Sequence, residues 1–239
     1  MSAMLASLGR RAASLLFGGS CFLCRGAART LLCGPCDADL PRLGADQCPR
    51  CSLAAPAGAV CGRCLAHPPA YDATAAALAY EFPADALVQS LKFRGELALA
   101  PLLGALLAAR VADRAGAAPV DAVVPVPLSA RRLRERGFNQ ALEIAREAAA
   151  RAGARLAPEL CERTRETEAQ FELPIDARAK NVRGAFDAPA AVAGLTVAVV
   201  DDVMTTGATL QEVASALKRA GAARVVNWVV ARTFPPAHA

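Results

Sequence analysis

Long apolar runs are missing from this sequence. None reaches the roughly 18 to 20 residues that a membrane-spanning helix needs, because Arg, Asp, Gly or Pro interrupts every candidate, including "ELALAPLLGALLAARVADRAG". No membrane insertion is expected. Neither G-x-x-x-x-G-K-[ST] nor G-x-G-x-x-G occurs, which removes the nucleotide P-loop and the dinucleotide-binding fingerprint. Aromatic residues make up only 5% of the chain, and Phe22 is the single one between residues 21 and 64. That scarcity argues against a stacking platform for single-stranded nucleic acid. Histidine is almost absent: His67 lies beside a proline pair and His238 in the tail. The start, "MSAMLASLGRRAASLLFGGSC", carries two arginines before an apolar stretch, but "AASLLFGG" is short and glycine-rich for an export signal. Residues 1–20 are therefore expected to be an N-terminal extension and the protein cytoplasmic.

What the sequence does have is cysteine. Eight of the nine fall into four C-x-x-C pairs, Cys21/Cys24, Cys33/Cys36, Cys48/Cys51 and Cys61/Cys64, with Cys161 left over as a small buried hydrophobe. This spacing lets two thiolates bind one tetrahedral metal, and Gly or Pro inside three of the pairs favours the tight turns of metal knuckles. Two structural Zn²⁺ ions are expected, with iron–sulfur as the alternative metal chemistry. Sequential pairing of the cysteines is simplest, and an interleaved arrangement stays open. "CFLCRGAARTLLCGPC" and "CPRCSLAAPAGAVCGRC" look like two copies of one unit. The expected organisation is a cysteine domain with one metal per copy at 21–66, which the family resemblance given below implies is a double zinc ribbon, and an α/β domain at 67–239, divided by the prolines after His67. Residues 1 to 70 hold seven arginines against three acids, but two dications on eight thiolates contribute a formal balance of about −4 that cancels this excess.

With 54% hydrophobic residues the remainder can bury a full core. Its apolar periodicity alternates between strand and helix. "ATAAALAYEF", "DAVVPVPL", "LTVAVVDD" and "ARVVNWVVARTF" read as strands; "PADALVQSLKF", "ELALAPLLGALLAARVADRAG", "FNQALEIAREAAARAG" and "GATLQEVASALKRAG" read as helices. This pattern predicts an α/β fold, a parallel sheet flanked by helices. Residues 161–185 are polar and read as a long loop.

"VVDDVMTTGATL" places Asp201 and Asp202 at a strand's carboxyl end, where parallel sheets bind ligands. Thr205, Thr206, Gly207, Ala208 and Thr209 then lead into a helix whose N–H groups and dipole suit a phosphate. Carboxylates repel that phosphate, so they must face hydroxyls or a divalent cation. A sugar phosphate with a free diol, together with Mg²⁺, meets both requirements. A phospho-acceptor receiver domain would have its acid pair at the first strand, whereas fewer than 40 residues follow Asp202.

The same stretch matches the phosphoribosyl pyrophosphate (PRPP) motif of type I phosphoribosyltransferases. With "LKFRGE", "VVPVPLS", "RERGFNQA", "RTRETEAQ", "NVRGAF" and the four cysteine pairs, the chain resembles the ComF family over about residues 21 to 233. The resemblance implies that Asp201 and Asp202 contact the ribose hydroxyls and that Thr205 to Thr209 bind the 5-phosphate. Pro127, Leu128 and Ser129, within the turn Pro125–Ser129, would form a pyrophosphate loop. Arg131 and Arg132 either supplement that loop or belong to a solvated charged face, and Lys92 and Arg94 either approach a phosphate or end a helix. The 161–185 loop becomes a lid in which Arg163, Thr167, Gln170, Arg178 and Asn181 match the family pattern, with Gln170 and Arg178 as catalytic candidates. The implied activity is phosphoribosyl transfer from PRPP to an acceptor the sequence does not name. The alternative is a non-catalytic PRPP-sensing or DNA-uptake module, with single-stranded DNA or competence-machinery proteins as partners.

Overall fold

The structure, a computed structural model, describes residues 19–113, 119–166 and 180–235. They fall into two compact units, Met1–Pro41 and Arg42–Ala239. In the first, β1 (Gly19–Ser20) and β2 (Ala27–Ala28) pair antiparallel, and helix α1 (Gly34–Ala38) follows. The second runs α2 (Gly62–Ala66), β3 (Ala73–Ala79), α3 (Ala84–Arg94), α4 (Leu99–Ala112), β4 (Ala122–Pro125), α5 (Ala130–Arg136), α6 (Gln140–Ala152), β5 (Arg155–Leu156), β6 (Glu162–Arg163), β7 (Phe186–Asp187), β8 (Thr196–Met204), α7 (Ala208–Arg219) and β9 (Arg224–Arg232).

Valine-rich β8 and β9 offer no polar face to water, and each becomes a central strand buried on both sides. The sheet order is β3-β9-β8-β4-β5, with every pairing parallel. Helices α4 and α6 lie over β3, β9, β8 and β4, while α7 packs on β8, β9 and β7. Gly104 lets α4 approach α6: a Cβ there would sit 2.7 Å from both Glu147 Cβ and the Ile144 carbonyl oxygen. Trp228 and Cys161 are buried, as expected of core residues.

The α/β fold and its parallel sheet match the sequence pattern, with three additions. "RRLRER" forms α5 because Ser129 caps it, accepting the Arg132 N–H at 3.4 Å, and Gly137 ends it at φ 79°. Arg155–Leu156 adds a short strand beside β4. The 161–185 segment is held at its base by the antiparallel pair β6–β7, with Glu162 opposite Asp187 and Arg163 opposite Phe186.

Residues 42–52, which include the third cysteine pair, lie along β3. The Leu43 N–H donates to the Ala77 carbonyl at 3.0 Å, and the Thr74 N–H donates to the Pro49 carbonyl at 2.9 Å. Ser52 Oγ donates to the Thr74 carbonyl at 2.8 Å. From α4, Arg110 donates to the carbonyls of Gly44 at 2.8 Å and Ala76 at 3.1 Å. The second cysteine quartet thus folds with the sheet.

Candidate functional site

The cysteines gather sequentially, Cys21/Cys24/Cys33/Cys36 and Cys48/Cys51/Cys61/Cys64, and within each quartet all Sγ atoms lie within 4.8 Å of one another. The first pair of each quartet forms a knuckle. Arg25 N–H donates to Cys21 O and Ser52 N–H to Cys48 O, both at 2.9 Å, with Arg25 at φ 64° and Ser52 at φ 55°. The second pair of each opens a helix, Cys33 preceding α1 and Cys61 preceding α2 with nearly equal backbone angles. The repeat is therefore knuckle plus helix start, where the sequence suggested two knuckles per unit. Cys24 and Cys33 Sγ are 3.7 Å apart and Cys51 and Cys61 Sγ 3.6 Å. Four thiolates about 2.3 Å from one tetrahedral ion stand about 3.8 Å apart, so both clusters fit zinc ribbon sites. In the first quartet, backbone N–H groups led by that of Cys24 bring the Cys21 thiol down to about 6, while hydrogen bonding to Cys33 pushes Cys36 up to about 12. Four thiolates at this spacing need a cation among them.

At the carboxyl end of β8, Asp202 is buried and its Oδ2 lies 2.8 Å from Lys92 Nζ, which α3 delivers to the site. Asp201 Oδ1 accepts the Asp202 N–H at 2.9 Å. The two carboxyls behave as one unit. Burial and then the neighbouring Asp202 raise Asp201 well above the ordinary carboxylate range. Burial also works against Asp202, but Lys92, the Asp201 hydrogen bond and Arg136 outweigh it and keep Asp202 ionised. Lys92 thus pairs directly with the acid pair. Arg136 is stacked 5.7 Å from the centre of the Phe93 ring and bonds Gln140.

The next residues turn. Gly207 precedes α7 at φ 86°, a left-handed conformation that favours glycine, and a Cβ would come 2.8 Å from Met204 Cε and 3.2 Å from the Tyr71 hydroxyl. The Ala208 N–H donates to Thr206 Oγ1 at 3.3 Å. Behind the turn stands Arg232, 1% exposed. Its Nε donates to the Cys51 carbonyl at 2.9 Å, and its Nη1 donates to the carbonyls of Met204 and Thr233, each at 2.8 Å, and of Thr205. Arg63, inside the fourth cysteine pair, donates to the Thr206 carbonyl at 3.4 Å.

Beside β8, the end of β4 supplies the second loop. The Val126 N–H donates to the Val200 carbonyl at 2.9 Å, and Asn139, which caps α6, donates to the Val126 carbonyl at 3.0 Å. This brings Pro127, Leu128 and Ser129 to the same end of the sheet as Asp201 and Asp202. Glu166 Oε1 accepts the Arg131 N–H at 3.1 Å at the start of α5. Arg163 stacks 5.3 Å from the Phe186 ring, and Arg165 donates to the carbonyls of Asn181 at 3.0 Å and Arg183 at 2.7 Å, closing the base of the 161–185 segment. Arg94 ends α3. Thr167, Gln170 and Arg178 lie outside the described residues. Arg136, Arg232 and Glu166 were not singled out from sequence: arginine in a strand-terminal or charged run carries no mark of what it will bond.

Residues 12–65 match the double zinc ribbon domain and residues 104–233 the phosphoribosyl transferase domain. The DNA utilization protein YhgH of Salmonella typhi is 37% identical over 225 residues, and that of Escherichia coli K12 is 34% identical over 223. Competence protein F of Haemophilus influenzae is 30% identical over 226 residues; each comparison covers 90% of this chain and 98% of the relative. The chain belongs to the ComF family. Among solved structures, the allosteric regulatory enzyme of purine biosynthesis aligns at 25% identity and a TM-score of 0.36 over 54% of this chain and 25% of that one; the sheet order above, not this superposition, defines the fold. In this ComF chain, "LKFRGE" ends α3 at Arg94, "VVPVPLS" ends β4, and "RERGFNQA" joins α5 to α6. "RTRETEAQ" and "NVRGAF" stand at the two ends of the stretch 163–186, of which residues 167–179 lie outside the described residues. No helix among the described residues is long and apolar enough to cross a membrane.

Proposed function

We propose that this ComF protein binds PRPP with Mg²⁺ at the carboxyl end of β8 and transfers its phosphoribosyl group to an acceptor. The observation that carries the reading is the junction of an acid pair, a glycine-dependent turn at a helix start and the Pro127–Ser129 loop, all on adjacent strands β4 and β8. Asp201 and Asp202 take the ribose 2′ and 3′ hydroxyls. The N–H groups and hydroxyls of Thr205 to Thr209 hold the 5-phosphate.

The bond from C1 to pyrophosphate breaks as the acceptor's lone pair forms the new bond to C1, leaving positive charge on the ribose and negative charge on pyrophosphate. Carboxylates under the ribose face the first charge; N–H donors of the Pro127–Ser129 loop, with Arg131 and Arg132 close by, face the second. Mg²⁺, when bound, neutralises pyrophosphate oxygens, and adjacent carboxylates are oxygen donors of the kind it takes. Gln170 and Arg178, outside the described residues, are the further catalytic candidates that the family resemblance supplies. The names of the relatives, a DNA utilization protein and a competence protein, support a role connected with DNA.

Calorimetry with PRPP and Mg²⁺ tests the binding. Asp201→Asn with Asp202→Asn is expected to weaken affinity by about a hundredfold, the scale of losing charged hydrogen bonds of about 1.5–3 kcal/mol. Equal affinity in both proteins would move the ligand away from the acid pair. Wild-type protein that binds PRPP yet releases no pyrophosphate with any acceptor fraction would make it a PRPP-binding module.

A further inference from the structure

The second cysteine quartet and the phosphate turn are joined by more than proximity. Arg232 holds carbonyls from both: Cys51 on the metal side, and Met204 and Thr205 where β8 enters the turn. Arg63 repeats the link from the fourth cysteine pair to Thr206. The Ala70 N–H, six residues past Cys64, donates to Gln211 Oε1 of α7 at 2.8 Å, and the Tyr71 hydroxyl lies against Gly207. All these ties lie within the unit Arg42–Ala239.

Charge points the same way. A guanidinium this deeply buried needs a counter-charge, yet its bonds all go to neutral carbonyls. The acidic groups that bear on it are the thiols of Cys51 and Cys64 and the Tyr71 hydroxyl. Four thiolates on one Zn²⁺ leave a net charge of about −2, which balances Arg232 and Arg63 together. Removing the metal would remove that balance and the fixed position of the Cys51 carbonyl at once.

We propose that Arg232 is a positioning residue that couples the Cys48/Cys51/Cys61/Cys64 metal site to the turn 204–209, so that metal in this quartet sets the order of the turn and its affinity for a phosphorylated ligand. The ligand part rests on the PRPP reading above; the coupling itself does not. The first quartet has no such role.

The test uses the full, zinc-loaded chain and reads amide hydrogen exchange in residues 203–210, with α6 as an internal control, beside PRPP calorimetry and metal content. Cys61→Ser with Cys64→Ser should leave one zinc per chain, speed exchange in 203–210 and weaken PRPP by roughly 5- to 150-fold, the usual span of coupling between two sites. Cys33→Ser with Cys36→Ser should also leave one zinc but not change exchange in 203–210. Arg232→Lys keeps the charge and loses the fork, so it should keep two zincs while loosening 203–210 selectively. If the Cys61/Cys64 variant does not fold, Arg232→Lys and Arg63→Ala decide. Unchanged exchange in 203–210 on emptying the second quartet, or equal loosening of α6 in Arg232→Lys, overturns the coupling. A wild type that ignores PRPP while exchange still follows the metal upholds the coupling and removes only the PRPP reading.

Discussion

The two cysteine quartets share one local geometry and keep different company. Each is a knuckle with a left-handed residue after its second cysteine, followed by a helix that starts at its third. In the first, the described surroundings are a two-residue ribbon and a single-turn helix, and Cys24 is exposed. In the second, Cys48, Cys51 and Cys64 are part of the hydrophobic core that includes β4, β8 and α7. A motif can be duplicated without its surroundings being duplicated: the second copy is packed into the core of the unit Arg42–Ala239.

Thermal unfolding with metal analysis puts that contrast under the greatest strain. Cys51→Ser should lower the main cooperative transition of the sheet while leaving the sheet folded at room temperature, because the quartet it empties is part of the sheet's core. Cys24→Ser should leave that transition in place with one zinc retained. If both variants melt alike, the two quartets are equivalent after all.

Gly104→Ala sharpens the contrast by weakening the sheet domain without touching a thiol. Its Cβ would press on Glu147 and Ile144, an overpacking that costs about 1–3 kcal/mol. The transition should fall, by about 2–4 °C per kcal/mol for a domain this size, while zinc content stays at two per chain. Metal loss on this substitution would mean that the second quartet responds to any loosening of the core.

The smallest effect concerns the acid pair. Folding raises Asp201 above its ordinary value of 3.8, so the folded chain holds that proton more tightly than the unfolded one. Its contribution to stability is complete below pH 3.8 and is lost as pH rises through the raised value. Asp202, held down against Lys92, does the reverse: it stabilises above pH 3.8 and that support is lost in acid. Asp201→Asn should therefore raise the melting temperature by a few degrees, more at pH 8 than at pH 5. A gain that shrinks with rising pH would put the proton on the other carboxyl.

Much of this was legible beforehand because its signals are local. Valine runs, Gly153 and the four C-x-x-C pairs each act through neighbours a few residues away, and β8, β9, α6 and both quartets lie where those signals put them. The acid pair and the turn were legible for the same reason. Arg232 was not: its partners Cys51 and Met204 are 181 and 28 residues distant, and a strand-terminal arginine reads as a solvated end. The ion pair of Lys92 with Asp202 was not legible, because nothing in "LKFRGE" points Lys92 toward Asp202, and its two readings, a phosphate contact or a helix end, stayed open. The attachment of residues 42–52 to β3 escaped notice because backbone hydrogen bonds to a strand require no particular side chains.

That attachment has a consequence for the chain's life outside its native state. β3 is the terminal strand of the sheet, and "ATAAALAY" is uncharged, proline-free and apolar. Without the cysteine-bearing segment, whose Leu43, Pro49 and Ser52 bond Ala77 and Thr74 of β3, the strand's free N–H and C=O groups would be a template for a second chain. The second knuckle is thus also a guard against self-association, and a cell short of zinc would meet this protein first as a sticky one.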